Sequence, residues 1–236
     1  MHKQNCLGYS NLDSIYYQSW TQALAKADGA ASNAFVRHCK DASDGHRRKL
    51  TLQYRTGGLY TAKLRHRMNK STTPNCELCG QVDGGHHSLS GCPQLSGLDI
   101  SRHNGAGKLI LRCILKGSKG ASVVMHDVGK HSGDADVAPR IPAWVYAAET
   151  PGMHMTSQWN NYRPDALLVT GGPRKPVHKR HVHIVEIKYC RDTDWRQQAQ
   201  RAELQHDGLV GHLQRVGYHQ QRIHRHSIIL GVGGTI

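Results

Sequence analysis

Long apolar runs are missing from this sequence: no stretch approaches the ~18 apolar residues that a membrane-spanning helix needs. The opening residues, MHKQNCLGYSNL, lack the apolar core of a secretory signal, so the chain is expected in a reducing, intracellular compartment. Acidic residues are scarce as well, with 17 Asp and Glu against 31 Lys and Arg, a formal net charge of +14. An excess of that size, spread along the chain rather than held in one tail, points to DNA or RNA as partner. The competing reading is a basic protein kept soluble by its charge. With 236 residues the chain can bury one good core, or a medium-sized domain plus a satellite that needs other help to stay folded.

Disulfides are not expected in such a compartment, and the seven cysteines are odd in number. Three of them fall within 17 positions, in STTPNCELCGQVDGGHHSLSGCPQL. Cys76 and Cys79 form C-x2-C, a gap that lets a tight turn aim two thiolates at one ion. His87 and Cys92 extend this to C-x2-C-x7-H-x4-C, with His86 as an alternative to His87. Four such ligands match tetrahedral Zn²⁺, and a full set of protein ligands marks a structural site. Gly80, Gly84, Gly85 and Gly91 supply the bends of so short a loop. The segment is too polar to hold itself without a metal, which weighs against unmetallated loop residues. Cys6, Cys39, Cys113 and Cys190 read as small buried or partly buried side chains without chemistry.

The texture on either side suggests three parts: a helical and basic segment over 1–70, a zinc knuckle over 71–98, and an α/β domain over 99–236. One or two helices are expected between Leu12 and Cys39. The basic stretch DGHRRKLTLQYRTGGLYTAKLRHRMNK, with its glycine-marked bends, reads as a phosphate-tracking segment or a solvated connector. Beyond the knuckle, Ala106, Leu109, Ile110, Cys113 and Ile114 repeat with the spacing of an amphipathic helix. Arg102, His103 and Asn104 stand at its expected entrance, where capping is favoured over phosphate contact. SVVM and IPAWVYA are expected strands; Asp134 and Asp136 read as solvated loop acids and Glu149 as a weak additional metal-site acid.

The stretch NYRPDALLVTGGPRKPVHKRHVHIVEIKYC carries the other chemistry. An apolar run begins at Asp165, a turn rich in Gly, Pro and positive charge follows, and HVHIVEIKY returns. Alternation puts Ile184, Glu186 and Lys188 on one face of the second strand and His183, Val185 and Ile187 on the other. A hairpin return can bring Asp165 alongside. Two carboxylates on adjacent strands can hold Mg²⁺ or Mn²⁺, and Lys188 would orient or help deprotonate an attacking water. By itself the pattern also fits a surface hairpin. Context favours the site, since Glu186 and Lys188 sit in an apolar strand where unpartnered charge is costly. Downstream, Trp195, Ala199, Ala202, Leu209 and Leu213 follow one long helical pattern with Gln198, Gln205 and His206 interspersed, and HSIILGVGGTI reads as a final strand. Strand, turn, strand, helix, strand is an α/β order with a mixed sheet.

Taken in order, YRTGGLYTAKLRHR, the C-x2-C-x7-H-x4-C cluster, RHN, RPDALLV, VEIKYCRDT and IILGVGGTI resemble the C-terminal region of site-specific non-LTR retrotransposons that carry a restriction-like endonuclease. The resemblance spans Tyr54 to Ile236. It implies a PD-(D/E)xK restriction-endonuclease-like mixed sheet flanked by helices and preceded by a CCHC zinc knuckle. The implied activity is nicking of target DNA to expose a 3′ hydroxyl for target-primed reverse transcription. Asp165, Glu186 and Lys188 then take the catalytic positions, with Asp165 and Glu186 on the catalytic Mg²⁺ or Mn²⁺. Arg102 and His103 match the basic-His motif after the knuckle, and Gln198 or Gln205 takes an accessory role. Implied partners are target DNA and element RNA, in the nucleus and away from membranes. Family polypeptides carry a reverse transcriptase before this region; this chain has no Asp-Asp pair and no room for one, so it reads as a fragment or shortened copy working with a separate polymerase. A non-catalytic nucleic-acid-binding remnant is the alternative. Two histidine groups, His178, His181, His183 and His219, His224, His226, read as basic surface that gains charge below about pH 6.5, over a second metal site.

Overall fold

The computed structural model of the chain describes Ala30, Ala34, Val145 and residues 42–55, 58–117, 121–125, 164–191 and 194–232. The helices expected over 12–39 lie outside these residues, except that Ala30 and Ala34 are helical. Cys6, Cys39, Asp134, Asp136, Glu149 and most of IPAWVYA also lie outside them. The described residues fall into two compact units, one drawn from Met1–Asp99, Tyr189–Gln197 and Ile229–Ile236, the other from Ile100–Lys188 and Gln198–Ile228.

In the first unit the basic stretch forms two helices, α1 (Ala42–Arg55) and α2 (Ala62–Arg67). Thr61 caps α2 by accepting from Leu64 N at 3.2 Å, satisfying one of the amide donors that a helix start leaves over. Asp83 binds the knuckle to the same helix start: Oδ2 accepts from Ala62 N at 2.9 Å and Oδ1 from the Ser88 hydroxyl at 2.6 Å. Buried Tyr54 of α1 lies beneath Gly85, so the knuckle rests on a helix as well as on its own turns.

The second unit is mixed α/β. Helix α3 (Ser96–Gly117) leads into a four-stranded sheet of β1 (Ala121–Met125), β2 (Ala166–Thr170), β3 (His181–Cys190) and β4 (Ile223–Gly231), in that spatial order. The first two pairings are antiparallel, with Ala166 opposite Val185 and Thr170 opposite His181. Along β3 and β4, His181 meets His224 and His183 meets His226, so residue numbers rise together as in a parallel pair. A parallel pair requires a long crossover. Helices α4 (Trp195–Gln205) and α5 (Asp207–Arg215) supply it.

The hairpin between β2 and β3 closes where the sequence predicts. Gly171 takes φ of 103°, a conformation that residues with a Cβ rarely adopt, so a substitution there would strain the backbone. Buried Arg180 ties the basic turn down by donating to the carbonyls of Lys175 (2.6 Å) and Pro173 (3.0 Å). The core lies on one sheet face, where Leu167, Val169, Val182 and Ile184 meet Leu209 and Leu213 of α5 together with Val145 and Tyr218. The Tyr218 hydroxyl donates to Val145 O at 2.6 Å.

Three expectations are corrected. The single helical pattern after Trp195 is two helices broken at His206, although Ala202, Leu209 and Leu213 are buried as its spacing requires. Helix α3 starts at Ser96, so Arg102, His103 and Asn104 lie inside it rather than capping it. Its buried positions are Gly107 and Leu111, while Leu109 and Cys113 are exposed. Apolar residues occur on more than one side of this helix, and periodicity alone picked the wrong stripe.

Candidate metal centre and carboxylate site

The knuckle assembles from short-range turns. Asn75 and Val82 bridge antiparallel, Cys76 N donates to Gln81 O at 2.7 Å, and Gly80 N donates to Cys76 O at 2.9 Å, with Gly80 at φ of 75°. Amides of Leu78 and Cys79 point at the Cys76 sulfur and outweigh its burial, lowering its pKa to about 7. A short π-helical turn, His87–Gly91, then carries His87 inward and delivers Cys92. Cys76 Sγ and Cys92 Sγ are 4.0 Å apart, and Cys79 Sγ is 3.2 Å from His87 Nε2. Bond lengths of ~2.3 Å to sulfur and ~2.0 Å to nitrogen give tetrahedral edges of about 3.8 and 3.5 Å. All four donor atoms lie within 4.8 Å of one another, so the Cys₃His cluster could bind a metal such as zinc. The adjacent histidine is excluded from the set: His86 bonds the Ser90 hydroxyl at 3.0 Å instead.

Asp165, Glu186 and Lys188 lie in the second unit, all at the same end of the β2–β3 pair. Strand β3 continues past the start of β2, leaving the peptide groups of Ile187 without a ladder partner on that side. Side chains take their place. Ile187 N donates to Asp165 Oδ2 at 2.6 Å, and His103 of α3 donates through Nε2 to Ile187 O at 2.9 Å. His103 Nε2 is also 3.4 Å from Asp165 Oδ2, and Nδ1 lies 3.3 Å from Asn104 Oδ1. The Asp165 hydrogen bond outweighs burial and raises His103 to about 9, making it a cation at neutral pH.

Glu186 is buried on the face that carries Val182 and Ile184, toward α4 and α5. Oε1 accepts from Lys188 Nζ, and Oε2 accepts from His206 Nε2 at 2.8 Å. A carboxylate can only accept, so the His206 proton sits on Nε2. Burial pushes the Glu186 carboxyl up, but the bonds from His206 and Lys188 win and hold it below its ordinary range. Lys188 Nζ also donates to Gln205 Oε1 at 2.7 Å. Of the two candidate glutamines, Gln205 is the one that bonds Lys188. Arg102 is partly buried beside His103 on α3.

His206 is the residue that sequence reasoning passed over. It stands in the break between two helices, directly after Gln205, and a polar residue at such a break was its available signal. Among the described residues, the Cys/His cluster is the group of three or more metal-binding side chains whose donors converge; Asp165 and Glu186 belong to no such group.

The clustered histidines also rearrange relative to expectation. His181, His224, His183 and His226 stack in a zigzag, with successive ring centroids 5.3, 4.7 and 5.2 Å apart. His178 is exposed outside the stack and His219 turns back to accept from Gln221 N. Burial and the neighbouring imidazoles lower His183 to about 4, and His181 and His226 are lowered for the same chief reason. His181, His183 and His226 therefore charge less readily than solvated imidazoles would.

No known protein-family model matches the chain, no curated protein matches it, and no solved structure does.

Proposed function

We propose that the protein is a divalent-metal-dependent DNA endonuclease, a nickase of the PD-(D/E)xK type belonging to a non-LTR retrotransposon, with the second unit as its restriction-like nuclease domain. The observation that carries this reading is that Asp165, directly before β2, and Glu186 and Lys188 on the adjacent β3 stand at the same end of a mixed sheet, with Lys188 bonded to Glu186. A buried carboxylate flanked by Lys188, Gln205 and His206 is an expensive arrangement for a hairpin without function.

Asp165 and Glu186 offer the hard oxygen donors that Mg²⁺ or Mn²⁺ takes, and such an ion would supply Lewis acidity and a more acidic bound water. The chain's own residues do the rest. His206 fixes the Glu186 carboxylate from below the sheet, and Gln205 steers Lys188. Lys188 uses two of its three N–H donors on Glu186 and Gln205, leaving one for the attacking water or a phosphate oxygen. Water oxygen bonds to phosphorus, the P–O3′ bond breaks, and the departing oxygen takes a proton to become the 3′ hydroxyl that primes reverse transcription by a separate polymerase. The knuckle and the +14 charge would hold target DNA or element RNA in the nucleus.

One observation favours a second reading, a non-catalytic nucleic-acid-binding module: Asp165 Oδ2 and both Glu186 oxygens are already engaged by protein donors. Nicking of supercoiled plasmid by the purified chain with Mg²⁺ separates the two. Nicking that is abolished by EDTA and by Glu186→Gln or Asp165→Asn supports the nuclease; nicking that persists in all three overturns it. If nicking is absent while salt-sensitive DNA binding remains and is lost in Cys79→Ser, the binding module holds.

A further inference from the structure

The basic stretch ahead of the knuckle fits two roles by its sequence, a solvated connector or a segment that tracks phosphate. A cleft in the first unit favours the second role. It has a volume of about 730 Å³ and is walled by α2 and the knuckle. That size falls in the ~300–1,000 Å³ range of pockets that enclose a small organic group. Leu59, Leu64, Val82 and buried Tyr54 supply its apolar lining. Gly84, Gly85 and Gly91 add bare backbone, which lets a flat ring approach closely. Val82 is 54% exposed, an apolar side chain left uncovered at the cleft wall.

Lys63 and Arg67 stand one helical turn apart on α2 and line the cleft together with Arg191, which follows β3. No Asp or Glu lines it. Asp83, beside Val82 in the chain, has its carboxylate engaged by Ala62 N and the Ser88 hydroxyl. The other basic residues of α2 are partnered: Arg65 donates to Glu77 and His66 bonds Ser71 O, each at 3.0 Å. Among the described residues the side chains of Lys63, Arg67 and Arg191 have no such partner. Three like charges around one cleft repel one another, and a phosphate offsets that repulsion while accepting their hydrogen bonds. An apolar floor beneath a cationic rim matches the two halves of a nucleotide. A paired base is held inside its duplex and does not enter such a cleft, whereas an unpaired base is free to. We propose that this cleft receives one unpaired nucleotide of a single-stranded nucleic acid, with its base against Leu64 and Val82 and its phosphate on Lys63, Arg67 and Arg191. The assignment rests on the nucleic-acid-binding part of the proposed function and needs no chemistry at the carboxylates.

The test is fluorescence anisotropy of the full chain, purified with zinc, against a labelled oligothymidylate, an oligouridylate and a mixed-sequence duplex of equal length. Mg²⁺ and Mn²⁺ are left out so that no strand is cut. Lys63→Gln, Arg67→Gln and Arg191→Gln, each shown to retain the thermal transition of the parent, should weaken binding of at least one single strand on the order of tenfold, the worth of a charge-assisted hydrogen bond. Each should also lower the slope of log K against log salt by about 0.7, the single-strand value for one phosphate contact. Duplex binding should change little, and Arg174→Gln and Lys179→Gln, exposed on the turn between β2 and β3, should leave all three probes nearly unchanged. The strand that responds identifies DNA or RNA as the source of the nucleotide. Parent-like single-strand affinity in the three cleft variants, equal weakening by the two turn variants, or a duplex weakened as much as the strands would overturn the cleft and leave general nucleic-acid binding standing. A parent that binds none of the three probes would overturn both.

Discussion

The knuckle and the carboxylate site solve the problem of gathering reactive groups by opposite means. The four knuckle ligands lie between Cys76 and Cys92, and turns closed by local backbone bonds bring them together. The carboxylate site draws Asp165 from the start of β2, Glu186 and Lys188 from β3, His103 from α3, and Gln205 and His206 from the end of α4. A local site of this kind, leaning on α1 and α2 but with few buried apolar side chains of its own, is expected to depend on a bound ion for much of its stability. A long-range site inherits its geometry from the core beneath it and is sensitive to packing at a distance.

That contrast predicts where each breaks. The largest effect belongs to the knuckle: Cys92→Ser should abolish binding of one zinc per chain, measured by metal analysis, and unfold the segment around it, since a structural zinc contributes ~10 kcal/mol or more to such a fold. Retained zinc would make the two sites more alike than described. Next is Glu186→Ala, which leaves buried His206 without its acceptor and partly buried Lys188 with Gln205 alone. Chemical denaturation should show a loss of about 3–5 kcal/mol, and a loss well below that would mean the site is not held by its ion pairs.

Acid should act on the long-range region through its core. His212 is fully buried beside Leu209 and Leu213, and burial, with Arg215 second, lowers its pKa from the ordinary value. A depressed folded-state pKa means that its stabilising contribution is complete above about pH 6.5 and is lost as pH falls below it. Melting temperatures of the parent should therefore drop on acidification more steeply than those of His212→Leu. The smallest expected change is Thr61→Ala, which removes the α2 cap on which the knuckle leans and should cost about 1 kcal/mol without altering zinc stoichiometry.

Legibility followed the same division. C-x2-C and the downstream Cys92 were readable because ligand spacing is itself the geometry, and only the choice between His86 and His87 waited on the direction of a π-helical turn. Strand alternation placed Glu186 and Lys188 on one face correctly, and the Gly-Pro turn placed the hairpin. The α3 stripe was misread, because hydrophobic spacing does not say which side meets the sheet when several sides are apolar. His206 offered only a polar residue at a helix break and His103 no local sign of its role, since their partners lie 20 and 84 positions away.

The sequence by itself determined the elements whose cause is local: the thiolate turn, the glycine-dependent hairpin and the alternating faces of β3. Tertiary structure alone decided that His103 becomes a cation against Asp165, that His206 and Gln205 arrive at Glu186 and Lys188, and that four histidines from two strands form one stack. The physical reason is that a backbone turn is written in a few adjacent residues, whereas a hydrogen bond between distant side chains exists only once the strands and helices that carry them have chosen their neighbours.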